Sequence, residues 1–194
     1  SLIGLPLGSA LAVFRFPGRK TLVVILNALM GLPPVVVGLI VYLILSRSGP
    51  LGTLGLLFTP TAMIIAQTLL IMPIIAALTR QSTVQLWHEY EDQFKSLGAG
   101  PGETVTALLW DDRFNLVTTI LAGFGRASAE VGAVMIVGGN IDHVTRVMTT
   151  TIALETSKGN LALALGLGVI LLCLALGVNA AAYLINEAAL KRHG

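Results

Sequence analysis

The sequence predicts an all-α protein, a polytopic transmembrane helix bundle of about five spans with the first truncated. Composition, block length and the chemistry of lipid predict it together. Apolar residues make up 55% of the chain and charged residues only 11%. The apolar residues fall in long uninterrupted blocks, and roughly 18 or more such residues cross a hydrocarbon core of about 30 Å as a helix. Lipid offers no water to unpaired backbone groups, so blocks of this kind close their hydrogen bonds internally as helices. No repeat and no second soluble domain is visible, and residues 1–194 read as one transmembrane domain.

In chain order, the block 2–14 is short for a span. It opens without a charged leader, so it reads as the end of a span cut off upstream and not as a signal peptide. A basic turn, Phe14-Arg15-Phe16-Pro17-Gly18-Arg19-Lys20, leads into the first complete span, 21–45. That span carries Gly31-Leu32-Pro33-Pro34 near its middle, where proline removes a backbone donor and clashes with the preceding turn. An ordinary kink and a gating hinge at Pro33 and Pro34 are both open readings. Residues 46–55 are rich in Gly, Ser and Pro and predict a turn. The next span, 56–78, is interrupted by Pro73, and two more follow at 116–137 and 161–185. Between these, segment 138–160 shows a weaker helical stripe, Val144, Val147, Met148, Thr151 and Ile152, able to lie on the membrane surface or dip into it.

The basic residues orient the bundle. Arg15, Arg19, Lys20, Arg80, Lys95, Arg113, Lys191 and Arg192 fall on one side if the spans alternate. Arg47, Arg146 and Lys158 fall on the other. Positive charge stays preferentially in the cytoplasm, so residues 80–115 and the tail after Asn186 are expected there. The net charge of +2 thus reflects topology and gives no case for nucleic acid.

The segment 80–115 is a polar island between apolar blocks. Val84, Trp87, Tyr90, Phe94 and Leu97 recur at steps of three or four and define one helical face. Gln85, His88, Glu89, Asp92, Lys95 and Ser96 define the other. Gly98-Ala99-Gly100-Pro101-Gly102 breaks that helix, and Glu103-Thr104 starts a second one over 105–110. Asp111, Asp112 and Arg113 mark the return to the membrane surface.

Little in the chain speaks for catalysis. No phosphate-cradling Gly-x-x-x-x-Gly-Lys-Ser/Thr loop is present, so any ATP dependence comes from another chain. Gly166-Leu167-Gly168 lies in an apolar helix, where small residues allow close packing. His88, His143 and His193 are scattered over both sides of the membrane, and His88 with Glu91 or Asp92 fits an exposed helix face better than a metal site. The single cysteine, Cys173, excludes an intrachain disulfide and a cysteine metal cluster.

The exception to a clean bilayer interior is Gly125-Arg126-Ala127-Ser128-Ala129-Glu130-Val131-Gly132. Ionisable groups at that depth are costly and pair or face a water-filled route. Four residues apart on a helix, Arg126 and Glu130 can meet. A self-neutralised pair that locks packing competes with a polar lining or gate that includes Ser128, and the small polar stripe around them favours the second.

The island resembles the cytoplasmic signature loop of ABC importer permeases: Glu-Ala-Ala, three residues, Gly, nine residues, then Ile-x-Leu-Pro. Asp92 takes the acidic place, Gly98 the glycine and Leu108 the isoleucine. Gln93 and Phe94 stand where the pattern has alanines, and Trp110-Asp111 where it has Leu-Pro. Gly31-Leu32-Pro33-Pro34-Val35-Val36-Val37-Gly38-Leu39 is similar to molybdate and tungstate permeases generally. Segments 46–52, 59–67 and 154–160 look more like the tungstate branch. The resemblance covers essentially the whole chain. It implies a type I importer permease in which Asp92, Lys95, Ser96, Leu97, Gly98, Ala99, Gly102 and Leu108 dock an ABC ATPase subunit. It further implies a second copy of the chain, an extracytoplasmic oxyanion-binding protein, surrounding lipid, and ATP-Mg held only by the ATPase. This chain itself is expected to bind no cofactor and to catalyse no reaction. An ion-coupled secondary transporter would show inverted repeats and a cavity-facing carboxylate, for which only Glu130 is suited. A non-transporting scaffold leaves the polar cluster at 125–132 unexplained.

Overall fold

The computed structural model describes residues 1–193, with side chains through Leu184 and at Glu187. The basic tail of Lys191 and Arg192, and the side chain of His193, lie outside the described side chains. The described residues form nine α-helices, one short 3₁₀ turn and no strand. The helices are α1 (Gly4–Val13), α2 (Arg19–Met30), α3 (Pro34–Leu45), α4 (Pro60–Ser96), α5 (Pro101–Asp111), α6 (Arg113–Ser128), α7 (Gly132–Gly138), α8 (Met148–Ser157) and α9 (Leu161–His193).

Two helices, α4 and α9, are long and apolar enough to cross a membrane unbroken. The number rises to four if α2 with α3, and α6 with α7, each count as one broken span. The first break falls where two prolines forbid continuation: Gly31 closes α2, Pro33 takes an extended ψ of 122°, and Pro34 opens α3.

The second break corrects the expectation of a continuous span over 116–137. Helix α6 stops at Ser128 because Glu130 diverts the backbone: its amide reaches back only to the Ala127 carbonyl (3.2 Å), and its carboxylate takes the Ala133 N–H (3.0 Å). A carboxylate that satisfies an orphan donor in this way starts a new helix. A further difference concerns α4. It does not end near residue 78 but runs on as one 37-residue helix, through Pro73 and through the amphipathic part of the island. No glycine or second proline interrupts it before Gly98. The island's second helix likewise starts earlier than residue 105, at Pro101, because Glu103 accepts the Gly100 N–H (3.0 Å). In 138–160 the helix begins only at Met148, since the amides of Val144, Thr145 and Arg146 all turn back onto the Ile141 carbonyl.

The chain divides into two compact units. One comprises Ser1–Gly31, Ile71–Phe124 and Ala181–Gly194. Here α1 packs on α4 through glycine: a β-carbon at Gly8 would collide with the Ala76 carbonyl and the Thr79 side chain. Ser9 and Thr83 share a buried hydrogen bond of 3.0 Å across the same contact. Arg19 turns back to bond the Leu11 and Ala12 carbonyls (2.8 and 3.0 Å), satisfying the orphan acceptors at the end of α1.

The other unit comprises Leu32–Leu70 and Gly125–Ala180. Its core joins Val37, Val41 and Leu45 of α3, Ala62, Met63, Ala66 and Leu70 of α4, and Ala133, Val134 and Val137 of α7. Helices α3 and α7 approach closely: a β-carbon at Gly38 would stand 2.7 Å from Ala133 Cα. The apolar stretch of α9 is almost bare of protein contact.

Candidate functional site

Two constellations hold the residues singled out in the sequence, one in each unit. The first is the turn from α4 to α5. Gly98 has φ +64°, a conformation in which a β-carbon is strained. Around it the Gly98 N–H bonds the Lys95 carbonyl (3.2 Å) and the Ala99 N–H bonds the Phe94 carbonyl (3.1 Å). That pair of bonds is the glycine-dependent helix stop, which consumes carbonyls α4 would otherwise leave orphaned.

The turn projects a mixed surface. Asp92, Lys95, Ser96 and Gly102 are exposed and Ala99 is half-buried. Leu97 is 81% exposed and Trp110, at the end of α5, 72%. Lys95 pairs with Glu91 (2.8 Å), which also takes Arg15 (3.0 Å). Leu108 is fully buried and so holds α5 in place from within the unit. The apolar face read from the sequence is partly covered: Trp87 stacks on Phe94 with ring centroids 6.3 Å apart, and Tyr90 meets Phe94 edge-on at 6.4 Å. Leu97 departs from that face because α4 has already ended.

Asp112 is a residue whose importance the sequence reading missed. Its side chain is only 2% exposed. One oxygen takes a hydrogen bond from the Ser82 hydroxyl of α4, and the other takes the Asn115 amide of α6 (2.9 Å). A single carboxylate therefore ties the end of α5 to both neighbouring helices. The available signal was an aspartate just before a helical run, the side chain suited to a helix start. Beside it Gln81, Ser82, Gln85, Asn115 and Thr118 line a polar recess of about 320 Å³.

The second constellation is the break between α6 and α7. Arg126 and Glu130 form an ion pair of 2.8 Å, with Glu130 4% exposed and Arg126 34%. Both Glu130 oxygens are engaged, Oε2 by Arg126 and Oε1 by Ala133 N–H. Two more contacts close the break: the Gln67 amide donates to the Ala127 carbonyl (3.4 Å) and the buried Thr149 hydroxyl to the Glu130 carbonyl (3.2 Å). Ser128 is half-buried at the end of α6. Pro33 and Pro34 precede the contact: a β-carbon at Gly132 would lie 2.8 Å from Val35 Cγ2. The structure thus brings Pro33, Pro34 and the Arg126–Glu130 pair into one neighbourhood, with Gln67 and Thr149 as members that sequence spacing did not reveal. Among the described residues no cluster of three or more His, Cys, Asp or Glu side chains is placed to hold a metal.

With these features in hand, comparison with known proteins identifies the class. Residues 4–191 match the family described as binding-protein-dependent transport system inner membrane component, and the chain belongs to that family. It is a membrane permease of the ABC transporter class. Within the class it is similar to a tungstate uptake system permease protein, TupB, of Peptoclostridium acidaminophilum, with 42% identity over 185 residues, 95% of this chain and 81% of that one. A probable anion ABC transporter permease protein of Haloferax volcanii is 42% identical over 92% of this chain and 79% of its own length. The TupB of Campylobacter jejuni is 39% identical over 86% and 70%. Sulfate transport system permeases are more distant, at 28% for CysW of Synechococcus elongatus.

Proposed function

We propose that the chain is the membrane-spanning subunit of an ATP-driven importer for tungstate or a related tetrahedral oxyanion, working by alternating access. The observation that carries this reading is the glycine-locked turn between α4 and α5. It presents Asp92, Lys95, Ser96 and Leu97 at the end of a helix that continues without interruption from an apolar span, with Trp110 exposed at the end of α5. A movement of an ATPase subunit gripping that turn would be passed into the adjoining end of α4, and through Asp112 into α6. The ATPase holds ATP-Mg and performs the chemistry, while this chain binds no cofactor. A second copy completes the membrane domain, lipid covers the bare face of α9, and an extracytoplasmic binding protein delivers the oxyanion. The α4–α5 turn and the tail are cytoplasmic in this arrangement, following the asymmetry of basic residues. A ligand shifts a conformational equilibrium only through unequal affinity for its states, so the binding protein must prefer one of them.

In the same reading, the α6–α7 break with Arg126, Ser128 and Glu130, and the Pro33-Pro34 break beside it, form part of the translocation route or its gate. The bond from Ala133 N–H to Glu130 also favours a packing role, and the two are separable by experiment. The experiment for the whole proposal is co-purification with the ATPase subunit, followed by ATP hydrolysis with binding protein, with and without tungstate. Assembly with oxyanion-dependent stimulation supports it. Assembly without stimulation reopens the substrate, and failure to assemble in several mild detergents counts against the importer.

A further inference from the structure

The turn between α3 and α4, extracytoplasmic in the proposed topology, holds a cation with no ion-pair partner among the described residues. The unit formed by Leu32–Leu70 and Gly125–Ala180 contains four permanent cations, Arg47, Arg126, Arg146 and Lys158, against three carboxylates, Glu130, Asp142 and Glu155. The carboxylates are all taken. Glu130 pairs with Arg126 at 2.8 Å, Asp142 with Arg146 at 2.9 Å, and Glu155 with Lys158 at 2.9 Å. Arg47 is the remaining charge, and it lines a cavity of about 600 Å³.

Two serine hydroxyls stand beside that charge in a cavity whose remaining lining is largely apolar, with Leu45 and Leu57 among it. Ser46 and Ser48 line it beside Arg47, against a wall made by Tyr42 and Phe58 in edge-to-face contact. The Ser46 hydroxyl is committed to the Leu43 carbonyl (3.0 Å). Ser48 is bonded only to Ser46, at 3.3 Å, so its O–H can swing to a ligand at the loss of one long hydrogen bond. The backbone that carries these groups is fixed. Leu51 N–H bonds the Ile44 carbonyl (3.0 Å) and Gly49 N–H the Ser46 carbonyl (2.8 Å). Gly52 comes so near Arg47 that a β-carbon there would stand 2.9 Å from its backbone. A guanidinium presents paired N–H groups matched to two oxygens of a tetrahedral oxyanion, and a nearby hydroxyl adds a third donor.

We propose that this cavity is a receiving subsite for a tetrahedral oxyanion, with Arg47 as its charge and Ser48 as its hydroxyl donor. The proposal rests on the importer reading and adds to it a place where the anion first touches the membrane subunit. One cation and one mobile hydroxyl hold a dianion weakly, which suits a site that must pass its ligand on. The phosphate of a lipid headgroup has the same chemistry, so the test separates the two sources.

The permease–ATPase complex, purified in maltoside without phospholipid, is dialysed to equilibrium against tungstate, and bound tungsten is measured by mass spectrometry. The wild type is expected to bind with an affinity that falls about tenfold or more in Arg47→Gln, less in Arg47→Lys, and measurably in Ser48→Ala. Thermal melts of each complex establish that the variants are folded. Tungstate binding in folded Arg47→Gln equal to wild type overturns the subsite. Loss of wild-type binding on adding phosphatidylglycerol assigns the cavity to lipid and also overturns it. Stimulation of wild-type ATPase by loaded binding protein, measured on the same preparation, tells failure of this inference from failure of the importer reading itself.

Discussion

Substitution of Gly98 separates backbone strain from contact with a partner. A β-carbon built at Gly98 meets nothing within 4 Å, so the neighbours of the turn do not resist a side chain. What resists it is the φ of +64°. An L-residue held there costs about 1–2 kcal/mol, and one or two kcal/mol is roughly a 5–30-fold shift in a two-state ratio. Gly98→Ala is therefore expected to loosen the stop of α4 by that factor without any clash. Gly98→Asn should lose less, because asparagine visits this region more readily. Gly102→Ala adds the same methyl group within the docking segment without the backbone strain: that position also has open space, lacks the positive φ, and lies in the first turn of α5, where alanine is neutral or favourable by up to about 1 kcal/mol. Gly98→Leu carries the same backbone cost as alanine, and anything beyond it measures bulk pressed against whatever sits on the turn. In proteoliposomes, the ratio of tungstate taken up to ATP hydrolysed should fall in Gly98→Ala and fall further in Gly98→Leu, with weaker retention of the ATPase subunit in the second. A coupling ratio in Gly98→Ala and Gly98→Leu equal to that of the wild type would refute the docking reasoning.

Asp112→Ala removes the shared partner of the half-buried Ser82 hydroxyl and the Asn115 amide, at about 1 kcal/mol since both can reach water in the recess; the complex should melt earlier, and Ser82→Ala alone should cost less. Arg126→Ala leaves Glu130 buried without its counter-charge, at less than the about 3–5 kcal/mol of a fully enclosed pair because Arg126 is a third exposed. Adding Glu130→Gln removes the stranded charge, so assembly by size-exclusion should recover while tungstate uptake stays low; uptake that recovers with assembly would assign the pair to packing alone. The Glu155 carboxyl is held below its usual range, first by the hydrogen bond from Lys158 and then by that from Asn160. Its contribution to stability is present above the ordinary glutamate value of 4.5 and is lost as pH falls through the lowered folded value. Glu155→Gln should therefore lower the Tm at neutral pH, and a gap of the same size well into the acid range would contradict that assignment.

Hydropathy and length make α9 and the apolar part of α4 legible in the sequence, because a membrane span is specified by composition over many residues. Pro33 and Pro34 make the α2–α3 break legible, since ring chemistry forbids continuation there. The turn at Gly98 is legible too, as a glycine cluster after an amphipathic run. The α6–α7 break is not. It has no proline, and it is produced by one side chain, Glu130, capturing the Ala133 N–H in competition with the helix. Spacing alone puts Arg126 and Glu130 within reach on an intact helix, and the same spacing survives in the interrupted one. Gln67 and Thr149 escape sequence reading for a different reason. Each is distant in the chain from the carbonyl it satisfies, and only the packing of the unit brings them there. Asp112 had a local signal, but its bond to Ser82 spans thirty residues.

The two interruptions acquire a common logic in this light. A break in a membrane helix survives only where protein groups satisfy the freed backbone, since lipid cannot. In the unit that contains α7, the starts of α3 and α7 abut through Val35 and Gly132, and Gly38 against Ala133 continues the contact one turn on. The freed carbonyls are held by comparatively long bonds, 3.4 Å from Gln67 and 3.2 Å from Thr149, whereas Arg126 and Glu130 are joined at 2.8 Å. Charge-assisted bonds are the shorter and stronger class. A relative movement of α6 and α7 in the proposed cycle would therefore give up the Gln67 and Thr149 contacts before the ion pair, whose arginine stands on α6 and whose glutamate leads into α7. Neutralised within itself, that pair can move through a low-dielectric interior without exposing a bare charge, which an isolated arginine at the same place could not do. In the proposed cycle gating and packing would be two consequences of one arrangement, the pair that closes the helix break being also the joint that holds α6 and α7 together as they move.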